Sequence, residues 1–362
     1  MDEILGAKRH GDYDRVVALI DKTLQDGAVS KALYRELFFL RLEALCFQGL
    51  HEEARDYLER SDVQEASFAY LKAIRNATDT VSSLPWFEKK INAYVDAHGG
   101  YEHKLFNLAV LYNFWGLRDR AFFTLKKRFD YLIAKNIRQL PTQKTFDRSW
   151  SGLAHQALLD VHRCFAASGL EFFLMSGTLL GVVRDGQILE HDYDIDIGVD
   201  ESVGFAPVLS AMFGSGCFSY ISGFQDVFVC FMHVSGVKVD IFFHYTLGDV
   251  YRHRSRYVAW DNTCFVLAEK RFLNKRFLVP QDTDRYLTEN YGDWSRPVVN
   301  YDVYLDTPNL AILCMDDMLF QLIFKMTDAY FVNDVVLFRR LCDRYVELSG
   351  DCRYVGLLSV HP

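Results

Sequence analysis

The sequence predicts an α+β chain in which an all-α domain precedes a domain of alternating strands and helices. Up to about residue 135 the apolar residues recur at helical spacing, with Pro85 as the only proline. Beyond residue 170, short apolar runs typical of strands alternate with short helical segments. A polar stretch around Pro141 breaks the periodicity between the two parts. We therefore predict a helical domain over residues 1–140 and a second domain, α/β or α+β on this pattern alone, over residues 146–362.

Composition excludes several classes of protein. The 362 residues are 50% hydrophobic and 24% charged, which is typical of ordered globular domains. A formal net charge of −8 argues against a nucleic-acid partner, because such proteins need a basic surface. No apolar stretch approaches the roughly 20 residues of a transmembrane segment, and no signal pattern follows Met1. We expect a cytoplasmic protein, or one bound peripherally at the inner membrane face.

The eight cysteines occur without a Cys-x-x-Cys pair, and several lie inside apolar runs. This pattern favours buried free thiols in a reducing compartment over a zinc site or disulfides.

The helical part contains three similar segments, which begin at Gly11, Gly49 and Gly116. The intervals of 38 and 67 residues are close to one and two repeats of about 34. Small residues such as Ala109 and Ala121 would permit close helix crossing. Two interpretations stay open, a degenerate tetratricopeptide-like array and a non-repetitive helical bundle. An array of this kind would offer a surface for a protein partner.

Apolar patterning also predicts individual elements of the second part. One amphipathic helix is predicted over residues 149–168, with Gly169 just beyond its end. Strands are predicted at residues 172–175, 195–197, 227–231 and 237–243, and helices at residues 319–325 and 335–341.

Two features between residues 172 and 198 carry chemistry. An apolar strand runs into Gly177 and Thr178 at the start of a short helix, an arrangement that suits a phosphate. Asp192, Asp194 and Asp196 then alternate, so a strand would place all three carboxylates on one face. Such crowding of like charges is usually relieved by a divalent cation with oxygen ligands. A solvated acidic edge strand is the alternative.

A further carboxylate is expected on a neighbouring strand. Asp240 supplies it, 44 residues after Asp196 and inside an apolar run where a lone aspartate would be costly to bury. A Gly-Thr turn, an Asp-x-Asp pair and a later aspartate match the plan of the polymerase-β-like nucleotidyltransferase fold. That fold has a mixed sheet, and its carboxylates hold Mg²⁺, or Mn²⁺, against a nucleotide pyrophosphate.

The ordered set of motifs also resembles one family. Ser176 to Arg184, Ser-Gly-Thr-Leu-Leu-Gly-Val-Val-Arg, followed by Asp192 to Asp196, is similar to the core motif of the LicD phosphotransferases, which include the fukutin-related proteins. Lys238 to Phe242 resembles the later aspartate strand of the family. Phe277 to Pro280 and Tyr291 to Trp294 resemble its closing elements. The resemblance covers about residues 150–300.

The resemblance implies Mg²⁺-dependent transfer of a phosphoalcohol, such as phosphocholine or ribitol phosphate, with release of CMP. The donor would be a CDP-activated alcohol and the acceptor a hydroxyl of a glycan or lipid-linked saccharide. By position, Asp194 and Asp196 would be metal ligands and Asp192 their close partner. Asp240 would complete the metal site or take the acceptor proton.

Other residues are candidates for binding the donor. The resemblance implies that Gly177 and Thr178 face its phosphates and that Arg184 steadies phosphate charge, with a surface ion pair as the alternative for Arg184. Arg252 and Arg254 would share one face of an extended strand and could bind pyrophosphate or an anionic glycan. A salt-bridged edge strand is the alternative for these two.

Several questions stay open on the sequence. The segment Tyr291 to Trp294 is either an aromatic platform for a base or sugar, or a structural turn. The family commonly has Pro-Trp where this chain has Glu190 and His191, so His191 lies near the acceptor or on the surface. The rival functions are a nucleotidyltransferase that moves a nucleoside monophosphate, and a catalytically inactive helical adaptor.

Overall fold

A computed structural model describes residues 1–27, 29–61, 63, 66–138, 150–189, 192–298 and 300–358. These residues form fifteen α-helices and ten β-strands, which confirms the predicted α+β class. The chain divides into two compact units. The helical unit comprises Met1–Lys8, Asp12–Pro141 and Leu319–Pro362, and the sheet unit comprises Arg9–Gly11 and Thr142–Met318. The predicted break at Pro141 lies outside the described residues.

The helices, in chain order, are α1 (Asp2–Arg9), α2 (Tyr13–Gln25), α3 (Lys31–Phe47), α4 (His51–Arg60), α5 (Phe68–Asn76), α6 (Leu84–His98), α7 (Tyr101–Phe114), α8 (Arg118–Ala134), α9 (Trp150–Ala167), α10 (Ser176–Arg184), α11 (Phe205–Gly214), α12 (Thr283–Tyr291), α13 (Val303–Asp306), α14 (Met315–Phe331) and α15 (Val335–Ser349). The strands are β1 (Phe173–Leu174), β2 (Asp194–Asp200), β3 (Phe218–Phe224), β4 (Phe228–His233), β5 (Lys238–Leu247), β6 (Val250–Arg254), β7 (Val258–Thr263), β8 (Leu267–Phe272), β9 (Lys275–Pro280) and β10 (Leu310–Ile312).

Turns in the helical unit use the glycines that the sequence singles out. Gly49, with φ of +76°, lies between α3 and α4, and Gly116, with φ of +72°, lies between α7 and α8. Glycine adopts this left-handed conformation without the steric cost of a Cβ atom. Phe38 and Phe87 are fully buried between the helices. The tetratricopeptide-like character of the array stays a prediction.

The last 44 residues, Leu319–Pro362, group with the helical unit, whereas the sequence assigns them to a domain spanning residues 146–362. The physical reason is aromatic packing within the helical unit. The Phe129 ring on α8 lies 4.5 Å from the ring of Tyr354 and 6.1 Å from that of Phe338. Lys126 pairs with Asp351 at 2.6 Å. The apolar face of a C-terminal helix predicts that the face is buried, but the sequence does not identify which domain it packs against.

The sheet unit contains the predicted mixed sheet. Its strand order is β10-β7-β6-β5-β2-β1-β9-β8, and β4 pairs with both β3 and β5. The pairs β2/β5 and β1/β9 are parallel, whereas the other pairs among the described residues are antiparallel. Helix α9 and strands β1, β2, β4 and β5 confirm the elements predicted in this region, and Gly169 has φ of +64° just after α9.

The register of β2 against β5 positions the polar residues of the predicted motifs. Ile195 and Ile197 are fully buried in the core of the sheet unit. Asp194 and Asp196, which alternate with these isoleucines, face the opposite side of the sheet, because side chains alternate along a strand. In the parallel ladder, Asp196 lies opposite Asp240. The core of the sheet unit therefore fixes which carboxylates become neighbours.

Two buried histidines lie on neighbouring strands of the same sheet, His244 on β5 and His253 on β6. Their rings are 4.6 Å apart, and the His253 ring stacks on Trp260 at 5.0 Å. Burial lowers the pKa of His244 to about 4, and burial followed by the nearby His244 lowers that of His253. Both rings are therefore neutral in the folded protein at pH 7.

We expect the His253→Phe variant to become more stable relative to the wild type as pH falls below about 6.5. In that range the unfolded wild-type chain takes up a proton on His253 that the folded protein does not, which lowers its free energy of unfolding by up to about 1.4 kcal/mol per pH unit. Urea denaturation between pH 7 and 5 measures the difference, in which contributions from groups common to both proteins cancel. A difference between the two proteins that stays constant with pH would contradict the prediction.

Candidate metal centre

Three predicted carboxylates meet on one face of the sheet. Asp194 and Asp196 come from β2, and Asp240 comes from the adjacent parallel strand β5. One oxygen of each lies within 4.8 Å of the corresponding oxygens of the other two. Carboxylate oxygens converging in this way are the donors that Mg²⁺ and Mn²⁺ prefer.

The electrostatics of this group show that crowding is costly. Burial, followed by the charges of Asp194, Asp192 and Asp240, raises the pKa of Asp196 well above its usual value. Burial and the Asp194 charge raise the pKa of Asp192 to about 8. Burial also raises the pKa of Asp240, whose Oδ1 atom is buried without a hydrogen-bond partner. A divalent cation would relieve the repulsion and give this orphaned oxygen a partner, so the residues fit a metal.

Lys238 is a member of the centre that the sequence motifs do not reveal. Its Nζ atom lies 2.9 Å from Oδ2 of Asp194 and 2.8 Å from Oδ2 of Asp240. The available signal is its position two residues before Asp240, since residues i and i+2 of a strand share a face. That position also lies opposite Asp194 in the ladder.

The glycines of α10 allow the acidic segment to approach closely. A Cβ atom on Gly177 would lie 2.1 Å from Oδ2 of Asp192. One helical turn later, a Cβ atom on Gly181 would lie 2.6 Å from the carbonyl oxygen of Gln187 and 2.9 Å from the amide nitrogen of Leu189. Position 181 requires glycine because the short contacts are with backbone atoms, whereas a Cβ atom at position 177 would require the end of the Asp192 side chain to move. The two glycines thus let α10 pack against residues 187–189 and Asp192, which precede β2 in the sequence.

Thr178 on α10 holds the strand that carries two of the carboxylates. Its side chain is fully buried, and the amide N–H of Asp196 donates to its Oγ1 atom at 2.9 Å. The preceding Ser176 has φ of +46°, and its N–H donates to the hydroxyl of Tyr286 at 3.4 Å. Facing donor phosphates stays a prediction for Thr178, whereas in this structure its hydroxyl positions the backbone of β2.

We expect the Thr178→Val variant to lose about 1–3 kcal/mol of unfolding free energy, because valine keeps the shape but removes the acceptor of the partly buried Asp196 N–H. Urea denaturation measures the loss. The matched variant Thr178→Ser retains the hydroxyl and should lose less. A valine variant as stable as the wild type would show that this hydrogen bond does not support the strand.

Two of the three predicted arginines, Arg184 and Arg252, are engaged in ion pairs. Arg184 donates through Nε and Nη2 to the carboxylate of Asp185, at 2.9 and 3.0 Å. Arg252 donates in the same bidentate way to Asp261, at 2.5 and 2.6 Å. Strand β6 lies between β5 and β7 and is not an edge of the sheet. Arg254 is half-buried at the end of β6. The structure thus contains the ion pairs that were the alternative for Arg184 and Arg252.

The remaining motif residues have structural partners. The Tyr291 ring at the end of α12 lies 5.3 Å from the ring of Tyr301, and Trp294 packs against the core of the sheet unit. These contacts favour a structural turn over an open platform. Glu190 and His191 lie outside the described residues.

A second group of potential metal ligands consists of Asp160, Cys217 and His233. The N–H of Ser235 donates to Nδ1 of His233 at 3.2 Å, which leaves the ring proton on Nε2, 3.0 Å from Oδ2 of Asp160. Arg163 pairs with the other oxygen of Asp160 at 3.0 Å. These groups satisfy one another, unlike the orphaned Asp240 oxygen.

Comparison with known proteins agrees with this geometry. Residues 169–282 match the family described as "LicD/FKTN/FKRP, nucleotidyltransferase domain". This segment is a LicD-family domain. The predicted resemblance is confirmed, and the LicD domain contains all of Asp192, Asp194, Asp196 and Asp240.

Individual proteins are similar to this chain over part of its length. The ribitol-5-phosphate transferase FKTN of Macaca fascicularis is 27% identical over 154 residues, and that of Homo sapiens 26% over 154 residues, in each case 39% of this chain and 33% of the relative. An uncharacterized protein of Rickettsia typhi is 25% identical over 155 residues, 41% of this chain and 48% of the relative. The chain thus spans between a third and a half of the length of these curated relatives.

Among the residues that the structure describes, no helix is both long and apolar enough to cross a bilayer.

Proposed function

We propose that the LicD domain transfers a phosphoalcohol from a CDP-activated donor to a hydroxyl of a glycan or lipid-linked saccharide, with release of CMP. The observation that carries the proposal is the convergence of Asp194, Asp196 and Asp240 within the segment that matches the family. The name of the FKTN relatives supports ribitol phosphate as the transferred group. Phosphocholine is the other candidate.

In this proposal Asp194, Asp196 and Asp240 would hold Mg²⁺, for which Mn²⁺ could substitute. When bound, the cation supplies positive charge that offsets the charge developing on the transferred phosphoryl group and on CMP. The fit rests on the all-oxygen donor set and on the Asp240 oxygen that has no hydrogen-bond partner. Asp192 would act as the neighbouring carboxylate that α10 holds beside Gly177.

The chain's own residues would orient the two substrates. The donor's phosphates would lie at the start of α10, where Gly177 is half-buried and offers no side chain. A bond forms from the acceptor oxygen to the distal phosphorus, the bond from that phosphorus to the CMP oxygen breaks, and the hydroxyl proton goes to a carboxylate. Oδ1 of Asp240 is an acceptor available for that proton if it does not bind the cation.

The arginines would contribute only by exchanging partners. Arg184 would have to leave Asp185, and Arg252 would have to leave Asp261, before either could bind phosphate. Arg254 belongs to the same proposed set of donor-binding residues.

The proposal is tested with the purified protein, Mg²⁺, and a panel of CDP-ribitol and CDP-choline with candidate glycans. CMP release is measured by chromatography, and the Asp194→Ala variant provides the background. We expect release in the presence of donor, acceptor and Mg²⁺ together, and its loss on chelation with EDTA. Release no greater than the Asp194→Ala background for every combination would refute the proposal.

A second candidate is a nucleotidyltransferase that moves a nucleoside monophosphate, because the family description names a nucleotidyltransferase domain. The mass of the modified acceptor separates the two, since it gains either a phosphoalcohol or a nucleotide. The helical unit would dock a protein partner in either case. If neither the wild type nor Asp196→Ala binds a divalent cation, an adaptor without catalysis is the remaining function.

A further inference from the structure

Lys238 places a fixed positive charge inside the carboxylate centre. Its ammonium bridges two strands, at 2.9 Å from Oδ2 of Asp194 on β2 and 2.8 Å from Oδ2 of Asp240 on β5. These two residues are also members of the group whose oxygens converge for a cation. The ammonium therefore contacts two of the three carboxylates proposed to hold a metal.

The positive charge of this ammonium lies directly against two negative groups, the carboxylates of Asp194 and Asp240. The lysine therefore neutralises one unit of the negative charge at the centre.

The arrangement leaves the centre incompletely satisfied. Two of the three ammonium donors are used by Asp194 and Asp240, and Oδ1 of Asp240 has no hydrogen-bond partner. The Lys238 side chain is 38% exposed and carries its charge on a flexible stem, so the head group can reach solvent without moving the strand. Hence the ammonium is held by charge and can be released by a competitor of higher charge.

We propose that Lys238 is an exchangeable counter-ion, whose ammonium and a divalent cation compete for the carboxylates of Asp194 and Asp240. Lys238 thereby sets the metal affinity of the centre, and it is a positioning residue rather than a catalytic one. The inference rests on the proposed function for its metal, but it makes a separate statement about binding. It predicts that a change confined to the lysine charge alters metal affinity in a direction opposite to that expected for a ligand.

The test is titration of the full chain with Mn²⁺ alone, followed by calorimetry or by the loss of the free-ion electron paramagnetic resonance signal. We expect Lys238→Met to bind Mn²⁺ more tightly than the wild type by about tenfold, because one competing unit charge is removed from a half-buried site. Lys238→Arg keeps the charge and should bind like the wild type. The control Lys275→Met removes an exposed lysine from β9 and should leave the affinity unchanged.

Unchanged or weaker Mn²⁺ binding by a folded Lys238→Met protein would overturn the inference, because the lysine would then support binding or take no part in it. Circular dichroism establishes folding, and Lys238→Gln replaces the methionine variant if that one unfolds. The titration contains neither donor nor acceptor. Tighter binding by the variant together with an absence of CMP release would therefore refute the proposed function and leave this inference standing. Absence of Mn²⁺ binding in both wild type and variant would refute the inference.

Discussion

Asp196→Asn is expected to reduce CMP release by about a thousandfold or more while raising the free energy of unfolding by about 1–2 kcal/mol. The two effects have one cause. Asp196 is half-buried beside Asp194, Asp192 and Asp240, so its charge is unfavourable in the protein without metal, yet the proposed cation site would need it. The amide keeps the shape and removes the charge. CMP release with Mg²⁺ and urea denaturation in EDTA measure the two effects.

The matched control is Asp226→Asn, at an exposed turn position with φ of +59° that asparagine also tolerates. It should change neither quantity. An Asp196→Asn protein that retains CMP release would remove Asp196 from the proposed metal site. Loss of release accompanied by reduced stability would instead mean that the variant disturbs the fold.

Gly181→Ala is expected to destabilise the protein by about 2–3 kcal/mol. Its Cβ atom would meet the carbonyl oxygen of Gln187 at 2.6 Å and the amide nitrogen of Leu189 at 2.9 Å. Both atoms belong to the backbone, so relief requires α10 and this segment to separate. Because that segment leads to Asp192, CMP release should fall as well. Urea denaturation measures the stability change.

Gly152→Ala is the appropriate comparison, since Gly152 lies on α9 with nothing within 4 Å of an added Cβ atom. That variant should be as stable as the wild type or more so, by up to about 0.5–1 kcal/mol, because alanine restricts the unfolded chain. If Gly181→Ala behaves like Gly152→Ala, the close packing of α10 is not required.

The carboxylate group could be predicted because its signal is local. Alternation along one strand places Asp194 and Asp196 on the same face, and an aspartate inside an apolar run, as at Asp240, implies a partner. These patterns need no knowledge of which strands pair. Strands β2 and β5 could also be predicted, because each contains several apolar residues close together in the sequence.

The partners of Lys238 and Arg252 could not be predicted, because strand pairing decides them. Arg252 lies opposite Asp261 across β6 and β7, and Lys238 lies opposite Asp194 across β5 and β2. Both registers depend on turns and on the order of strands in the sheet, which a single strand's sequence does not contain. Arg252, which was proposed to bind phosphate, is for this reason found on a carboxylate, whereas Arg184 pairs with its sequence neighbour Asp185.

The parallel pairing of β2 with β5 also affects the order of events during synthesis. Asp194 and Asp196 leave the ribosome 46 and 44 residues ahead of Asp240, respectively, so β2 lacks that neighbour while β3, β4 and β5 are still being made. An unpaired strand edge invites pairing with another chain, and charged side chains pointing from it oppose such pairing. We therefore expect the two carboxylates to disfavour pairing of β2 with another chain until β5 has been made.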